Sequence, residues 1–550
     1  MPGGTDMTLR PFLWRAEKMY PDREIVSRTN RGIERYTYTE FAGRTAQLAH
    51  AMEAAGIEQG DRVATFCWNH HRHFETYFGI PTVGAQLHTI NPLLPDEHIQ
   101  YIVENADDQL IFVDASLLPK LEGAATGASE FDGVSQFIVM DSEVPDTNLD
   151  NVVDYESFIE GHDTEYDWPV LSEDQPAGMC YTSGTTGKPK GVEYTQKMLW
   201  AHTLMSLTPQ GLGMDDSDVL MPVVPMFHVN AWGLPFSTTA AGAKHVYPGP
   251  SPSPEDLAKL IEAEGVTITA GVPTVWLGLM DYLKENDADI SSLDQVIIGG
   301  SAAPEAMIRY FEDQGIEVLH AWGMTEMSPI GSVAHMKAGL EDADDETYMA
   351  KRKTQGLMVP GIEFRVVGDD GDEVPWNGED FGELWVRGPT VTQEYFKRPD
   401  ANEEDFEDGY LKTGDVVTID EDGYMKIVDR AKDVIKSGGE WISSVELENT
   451  LMANDDVAEA TVIGVPHERW QERPVAFVVP AKGVDKESLK ADLLALIEDE
   501  YPKWWVPDDV MFIDEVPKTA TGKFDKKVLR DEYADSSVFD GSTPEDAAPE

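Results

Sequence analysis

Cationic side chains are scarce in this chain: 42 Lys and Arg stand against 101 Asp and Glu among 550 residues, a formal net charge of −59. A surface of that sign repels phosphate backbones and anionic lipid, so nucleic acid is not expected as a partner. Its self-repulsion opposes compaction at low ionic strength and is screened in molar salt, where the Debye length falls to about 3 Å. The composition reads as that of a halophile's cytoplasmic protein, with an acidic mesophilic protein as the alternative. Cysteine is almost absent. Cys67 lies in an apolar strand-like run and Cys180 abuts a glycine-rich loop, so both are expected as small buried thiols without a disulfide. Long hydrophobic runs are missing too. Val219–Phe236 is interrupted by Pro222, Pro225, His228, Asn230 and Pro235, which excludes a simple transmembrane helix. The N-terminal segment has no uninterrupted apolar core, so no signal peptide is expected.

Enough apolar residues are present, at 41% of the chain, to build a sizeable core. From about residue 60 to 330, short apolar runs (RVATFCW, DQLIFVD, SQFIVMD, DVLMPVV, VTITAG, QVIIGG, IEVLHAW) alternate with amphipathic segments such as PEDLAKLIEAEG and PEAMIRYFEDQG. That alternation predicts parallel sheets covered by helices. Near Ile362 the pattern changes to short strands joined by Asp-Gly turns, predicting an antiparallel or barrel-like subdomain over about 340–428. After Asp429 a helix, two strands and a second helix predict a small α+β domain over 429–535. In that second helix Leu489, Leu493, Leu496 and Ile497 form one apolar face. Residues 536–550 are polar and acidic and are expected to be disordered. His70, His71 and His73 are too closely spaced to share one helix face, so no metal site is expected there.

The sharpest local signal is Tyr181-Thr-Ser-Gly-Thr-Thr-Gly-Lys-Pro-Lys-Gly191 between two predicted strands. Gly184, Gly187 and Gly191 let backbone N–H groups turn toward an anion. Thr182, Ser183, Thr185 and Thr186 add hydroxyls, and Lys188 and Lys190 add cations. A Walker A loop is excluded, because only two residues separate Gly184 from Gly187 and Pro189 follows Lys188 where Ser or Thr is required. The segment resembles the signature loop of the adenylate-forming superfamily, which holds acyl-CoA synthetases, peptide synthetase adenylation domains and luciferases.

Further blocks occur in that superfamily's order, over roughly residues 20–533. Ala321-Trp-Gly-Met-Thr-Glu326 is similar to its aromatic-Gly-x-Thr-Glu block. The resemblance implies that Ala321, Trp322 and Gly323 pass the adenine with Trp322 stacked on it. It also implies that Thr325 meets phosphate, and that Glu326 and Thr182 supply oxygens to Mg²⁺. Gly300, in Gly299-Gly-Ser-Ala-Ala-Pro304, stands in the adenine loop. Asp415 would accept both ribose hydroxyls, as a carboxylate can. Arg430, Lys432 and Lys436 would approach the nucleotide, and Asp429 matches the hinge between large and small domains. Gly438, Gly439 and Trp441 match the segment that serves the CoA thioester step. Lys523, in the terminal PKTATGK block, matches the catalytic lysine that stabilises charge at the reacting phosphorus. Pro225-Met-Phe-His-Val-Asn-Ala-Trp-Gly233 resembles the acyl-channel segment of medium- and long-chain fatty acyl-CoA synthetases, with His228 near its mouth and Trp232 as its gate.

The resemblance therefore implies an α/β fold: a large N-terminal domain (1–428) of stacked sheets with a β subdomain, and a mobile C-terminal domain. It implies two steps, acyl-adenylate formation from ATP with release of pyrophosphate, then thioester formation on CoA with release of AMP. A medium- or long-chain fatty acid is the expected substrate. The rival readings are a short-chain, branched or aromatic acid, a carrier-protein loader or luciferase-like oxygenase, and a non-catalytic nucleotide-binding regulator. A homodimer is the expectation by analogy with long-chain relatives. The charge balance makes one prediction of its own: in a refolding titration the folded fraction rises with KCl toward the molar range, and a salt-independent yield would identify an ordinary acidic protein.

Overall fold

The computed structural model describes residues 6–182, 188–340, 342–438, 440–454, 456–467, 469–518 and 524–533. By compactness the chain divides into two units. One holds the residues up to Glu363 together with Val386–Leu411; the other holds Phe364–Trp385 and the residues from Lys412 on. Segments 364–385 and 412–428, expected with the N-terminal domain, thus group with the C-terminal residues.

In the first unit the alternating apolar runs become two sheets. The seven-stranded sheet runs Val152–Asp154, Gln136–Val139, Asp108–Val113, Arg62–Phe66, Gln86–Thr89, Pro176–Thr182, Lys190–Thr195. All its pairings are parallel except the last, where Pro176–Thr182 meets Lys190–Thr195 antiparallel. The nine-stranded sheet is parallel across its middle and antiparallel at both edges. Its centre includes Val219–Pro222, Ile268–Gly271, Gln295–Ile298 and Glu317–Gly323. Parallel neighbours need crossover connections, and amphipathic helices supply them.

The helix Pro254–Glu264 shows how local sequence sets such a crossover. Ser253 and Asp256 form a capping box, Pro254 sits at the first turn, and Gly265 ends the helix at φ 63°. Its buried Leu257, Ala258, Leu260 and Ile261 join Trp276, Met221, Val246 and Phe311 in one core cluster. Each large side chain so buried contributes roughly 1.5–3 kcal/mol. Cys67 and Cys180 are buried and unpaired with each other. His70 caps the helix His71–Val83 through its Nδ1, and His73 bonds the Trp68 carbonyl and the Thr65 hydroxyl.

A five-stranded sheet follows, in the order Glu363–Val367, Phe381–Arg387, Tyr410–Ile419, Phe406–Glu407, with Met425–Arg430 also paired to Tyr410–Ile419. The predicted Asp-Gly turns are there: Gly371 and Gly423 take φ 85° and 86°. In the second unit a further sheet carries Val457–His467 against Gln471–Pro480, with Asp509–Phe512 added in parallel. The helices Ser444–Met452 and Lys486–Glu500 bury Leu447, Leu451, Leu489, Leu493 and Ile497 in its core, while Leu496, expected beside them, is only half-buried. The expected disordered tail, 536–550, lies outside the described residues. Among the described residues no helix is long and apolar enough to cross a membrane.

Burial in the first unit holds His73, His202 and His245 down at about 3 and His320 at about 4. An unfolded histidine titrates near 6.5, so below that pH the unfolded chain takes up protons that the fold excludes. Stability is therefore present above about pH 6.5 and is lost as pH falls toward the folded values, by up to about 1.4 kcal/mol per pH unit for each histidine. Urea midpoints in molar KCl should decline steadily from about pH 6.5 to 4.5; a flat profile would contradict neutral burial of these rings.

Candidate active site

The glycine-rich loop leaves one ladder strand and enters the next. Thr182 and Lys190 are cross-strand partners at the end of the antiparallel pair. Ser183, Gly184, Thr185, Thr186 and Gly187 lie outside the described residues. On the exit side the Lys188 ammonium sits 4.5 Å over the Tyr101 ring, and its carbonyl accepts from Arg398. Lys190 pairs with Asp405 and lies 4.5 Å over the Tyr395 ring. Gly191 meets a steric need that the sequence reading did not foresee. A Cβ there would stand 3.1 Å from the Tyr181 ring and 3.3 Å from Phe396.

The Thr-Glu block closes the strand Glu317–Gly323 and turns through Thr325–Met327. This turn packs against the strand that carries Thr182, and the Tyr194 hydroxyl donates to the Thr325 carbonyl at 2.8 Å. Two segments about 140 residues apart in sequence, the loop stem and the Thr-Glu turn, are thereby joined. Glu326 is 6% exposed. Its Oε1 accepts from the Tyr395 hydroxyl at 2.8 Å, and its carbonyl accepts from Thr392 N–H at 2.8 Å. Burial, with the Glu326 carboxylate beside it, pushes the Tyr395 phenol far above its ordinary value, so it remains a proton donor. Glu326 and Thr182, the residues that the resemblance implies for the metal, both carry oxygen, which suits a hard cation such as Mg²⁺. Among the described residues no group of three or more His, Cys, Asp or Glu could cage a metal. The donors thus fit an ion that phosphates also hold, not one held by protein alone.

Trp322, 7% exposed, lies on Gly331, where a Cβ would come within 2.4 Å of the indole. Gly300 opens the expected adenine loop at φ 84°, between the strand Gln295–Ile298 and the helix Glu305–Glu312. At Gly299 a Cβ would stand 3.1 Å from both the Ala321 carbonyl and the Trp232 indole. Trp232, expected at the acyl channel, therefore abuts the expected adenine loop. Its backbone was not foreseeable from composition. Val229, Asn230, Ala231 and Trp232 take φ 37°, 58°, 47° and 58°, a left-handed turn continued by Gly233 at 74°. Left-handed geometry costs L-residues about 1–2 kcal/mol each, and such strain concentrates at functional sites. His228 precedes this turn and is half-buried.

The second unit holds the remaining residues. Asp415, its side chain 2% exposed, pairs with Arg430 at 2.9 Å across two strands. The Asp429 carboxylate accepts from the Arg430 N–H and from both the backbone and the hydroxyl of Ser444. Burial raises the Asp429 carboxyl, against the pull of Lys526 and Ser444. Lys432 is exposed. Lys436 lies 4.5 Å over the Trp441 ring and 3.7 Å from Asp369, so a residue expected at the nucleotide and one expected at the CoA step touch each other. Gly438 takes φ 66° and donates to the Trp470 carbonyl. Gly439 and Lys523 lie outside the described residues. Near Lys523 in sequence, Lys526 is buried and pairs with Glu448 at 2.7 Å. Burial alone would lower that ammonium, but Glu448 and Asp429 outweigh it and raise it.

Sequence reasoning missed Tyr395, Asp405 and the Lys526–Glu448 pair. Tyr395, Asp405 and Glu448 stand in no local pattern that sets them apart from ordinary aromatic or charged residues. Lys526 alone had a signal, its place three residues after Lys523.

Comparison with known proteins identifies the family and the fold. The family model described as AMP-binding enzyme matches residues 13–396, and that of the AMP-binding enzyme C-terminal domain matches 446–523. The chain is 42% identical to a long-chain-fatty-acid–CoA ligase of Thermus thermophilus, over 96% of this chain and 96% of that protein. It is also 42% identical to a 3-methylmercaptopropionyl-CoA ligase of Ruegeria lacuscaerulensis, over 95% and 96%. Its fold matches the crystal structure of ATP-bound MatB from Rhodopseudomonas palustris with a TM-score of 0.80, at 25% identity over 96% and 99% of the two chains. The chain belongs to the AMP-binding enzyme family, the adenylate-forming superfamily that its loop and its Thr-Glu block resemble.

Proposed function

We propose that this protein is an ATP-dependent, AMP-forming ligase that converts a medium- or long-chain fatty acid to its acyl-adenylate and then to acyl-CoA. The observation that carries the reading is the joining of the glycine-rich loop's stem to the buried Glu326, through Tyr194 and Tyr395. A triphosphate needs both an anion-binding loop and a cation-binding carboxylate, and the described stem of that loop and Glu326 lie on segments that these bonds tie together. Glu326 and Thr182 would hold Mg²⁺, which supplies charge neutralisation to the phosphates. Trp322 offers its ring to adenine and Asp415 its two oxygens to ribose, with Arg430 orienting that carboxylate. Lys523 would bring its ammonium charge to the charge that develops as the acid attacks the α-phosphorus and pyrophosphate departs. In the second step the CoA thiolate attacks the acyl carbon and AMP leaves. Gly438 and Trp441 serve this step after the C-terminal domain turns about Asp429.

A second reading of the substrate has a specific support: identity is as high to a ligase named for a short thioether acid as to one named for long-chain fatty acids. We assign the protein to the cytoplasm on its composition.

AMP release with acids of graded length, in high KCl with Mg²⁺ and CoA, tests the substrate; a rate that peaks at pentanoate or a shorter acid would select the short-acid reading. In the same assay Lys523→Ala should lose pyrophosphate release by at least about 10²-fold, the usual effect of removing one transition-state charge donor. Gly438→Leu should slow thioester formation more than adenylation. Pyrophosphate release at the wild-type rate in the lysine variant would overturn the mechanism, and equal losses in both steps of the glycine variant would remove the domain rotation.

A further inference from the structure

Glu326 sits on a single short turn, Thr325–Met327, between extended Met324 and left-handed Ser328. A carboxylate on so short an element has little backbone of its own to fix its rotamer, and a buried one must be hydrogen-bonded. Tyr395 supplies the bond at 2.8 Å. Tyr395 is itself held from several sides. It is 4% exposed, its N–H donates to Asn402 Oδ1 at 2.6 Å, its carbonyl accepts from Asn402 Nδ2 at 3.2 Å, and its ring meets the Phe406 ring edge to face. One face of that ring carries the Lys190 ammonium, at the exit of the glycine-rich loop. The ion partner of Lys190 is Asp405. A single phenol thus touches both the loop's exit strand and the carboxylate. Because its hydroxyl is neutral, it orients that carboxylate without cancelling its charge, as an arginine or lysine partner would.

We infer that Tyr395 is a positioning residue for metal-bound nucleotide: it fixes the Glu326 carboxylate relative to Lys190 on the strand Lys190–Thr195 and so sets the affinity for Mg²⁺-ATP. This rests on the proposed role of Glu326. The side chain need not touch substrate; it acts through Glu326 and through Lys190.

The test is Tyr395→Phe, which keeps the ring for Lys190 and Phe406 and removes one hydroxyl. Mn²⁺ binding in the presence of a non-hydrolysable ATP analogue, followed by electron paramagnetic resonance on the full chain in molar KCl, should weaken about tenfold, the loss expected for one hydrogen bond to a charged group. The half-saturating Mg²⁺ for pyrophosphate release should rise by the same factor. Thioester formation from supplied acyl-adenylate and CoA should stay within about twofold of wild type. In a Glu326→Gln background the tyrosine change should add no further loss of Mn²⁺ affinity. That double variant also removes the buried charge, so it serves if the single variant does not fold. Unchanged Mn²⁺ affinity in Y395F, an additive loss in the double variant, or an equal loss in the step from supplied acyl-adenylate would each overturn the inference. If wild type binds Mn²⁺ and nucleotide in a Tyr395-dependent way but forms no adenylate with any acid, the inference stands and the ligase reading falls.

Discussion

A carboxylate withdrawn from water obliges everything around it to be arranged, and Glu326 is that group here. Desolvation of a charge is expensive unless hydrogen bonds replace the lost water. Its partner, Tyr395, is set by Asn402 and Phe406. The turn that carries it is tied to Tyr194 on the strand after the glycine-rich loop. On that strand Gly191 lets the Tyr181 ring and the Phe396 Cβ approach the backbone.

Charge is distributed with the same economy. Cations are few, and several of those described are engaged within their own unit. Lys190 takes Asp405, Arg430 takes Asp415, Lys436 lies on Trp441, and Lys526 takes Glu448 beside Asp429. In a chain with 101 acidic residues a lysine or arginine has many carboxylates within reach. Buried geometry selects among them, because an ion pair fully exposed to water contributes little. The pairs that matter for architecture are accordingly the ones out of solvent.

Much of the fold could be read from periodicity. Parallel strands, crossover helices, the Asp-Gly hairpins and the C-terminal α+β unit follow from period 2, period 3.6 and turn chemistry, which are local. The candidate site was legible where function demands a contiguous string, as in the loop from Thr182 or the run Ala321–Glu326. It was not legible where a role belongs to one residue brought from far away. Tyr395 lies 69 residues from the carboxylate it binds, in a stretch whose composition is ordinary. The left-handed turn at Val229–Trp232 was hidden for another reason. Valine and alanine do not prefer positive φ, so only surrounding contacts can impose it.

What the residues determined by themselves is membership of the family, through a Gly/Thr loop and a Thr-Glu pair in the family's order. These depend on residue type and short spacing, which survive in one dimension. Tertiary structure alone decided which groups are withdrawn from water and what then holds them. Trp232 lies against Gly299, Trp322 against Gly331, and Glu326 beneath Tyr395. Burial and hydrogen-bond partnership are properties of three-dimensional neighbourhood, and no local pattern encodes a neighbour that the chain delivers from another strand.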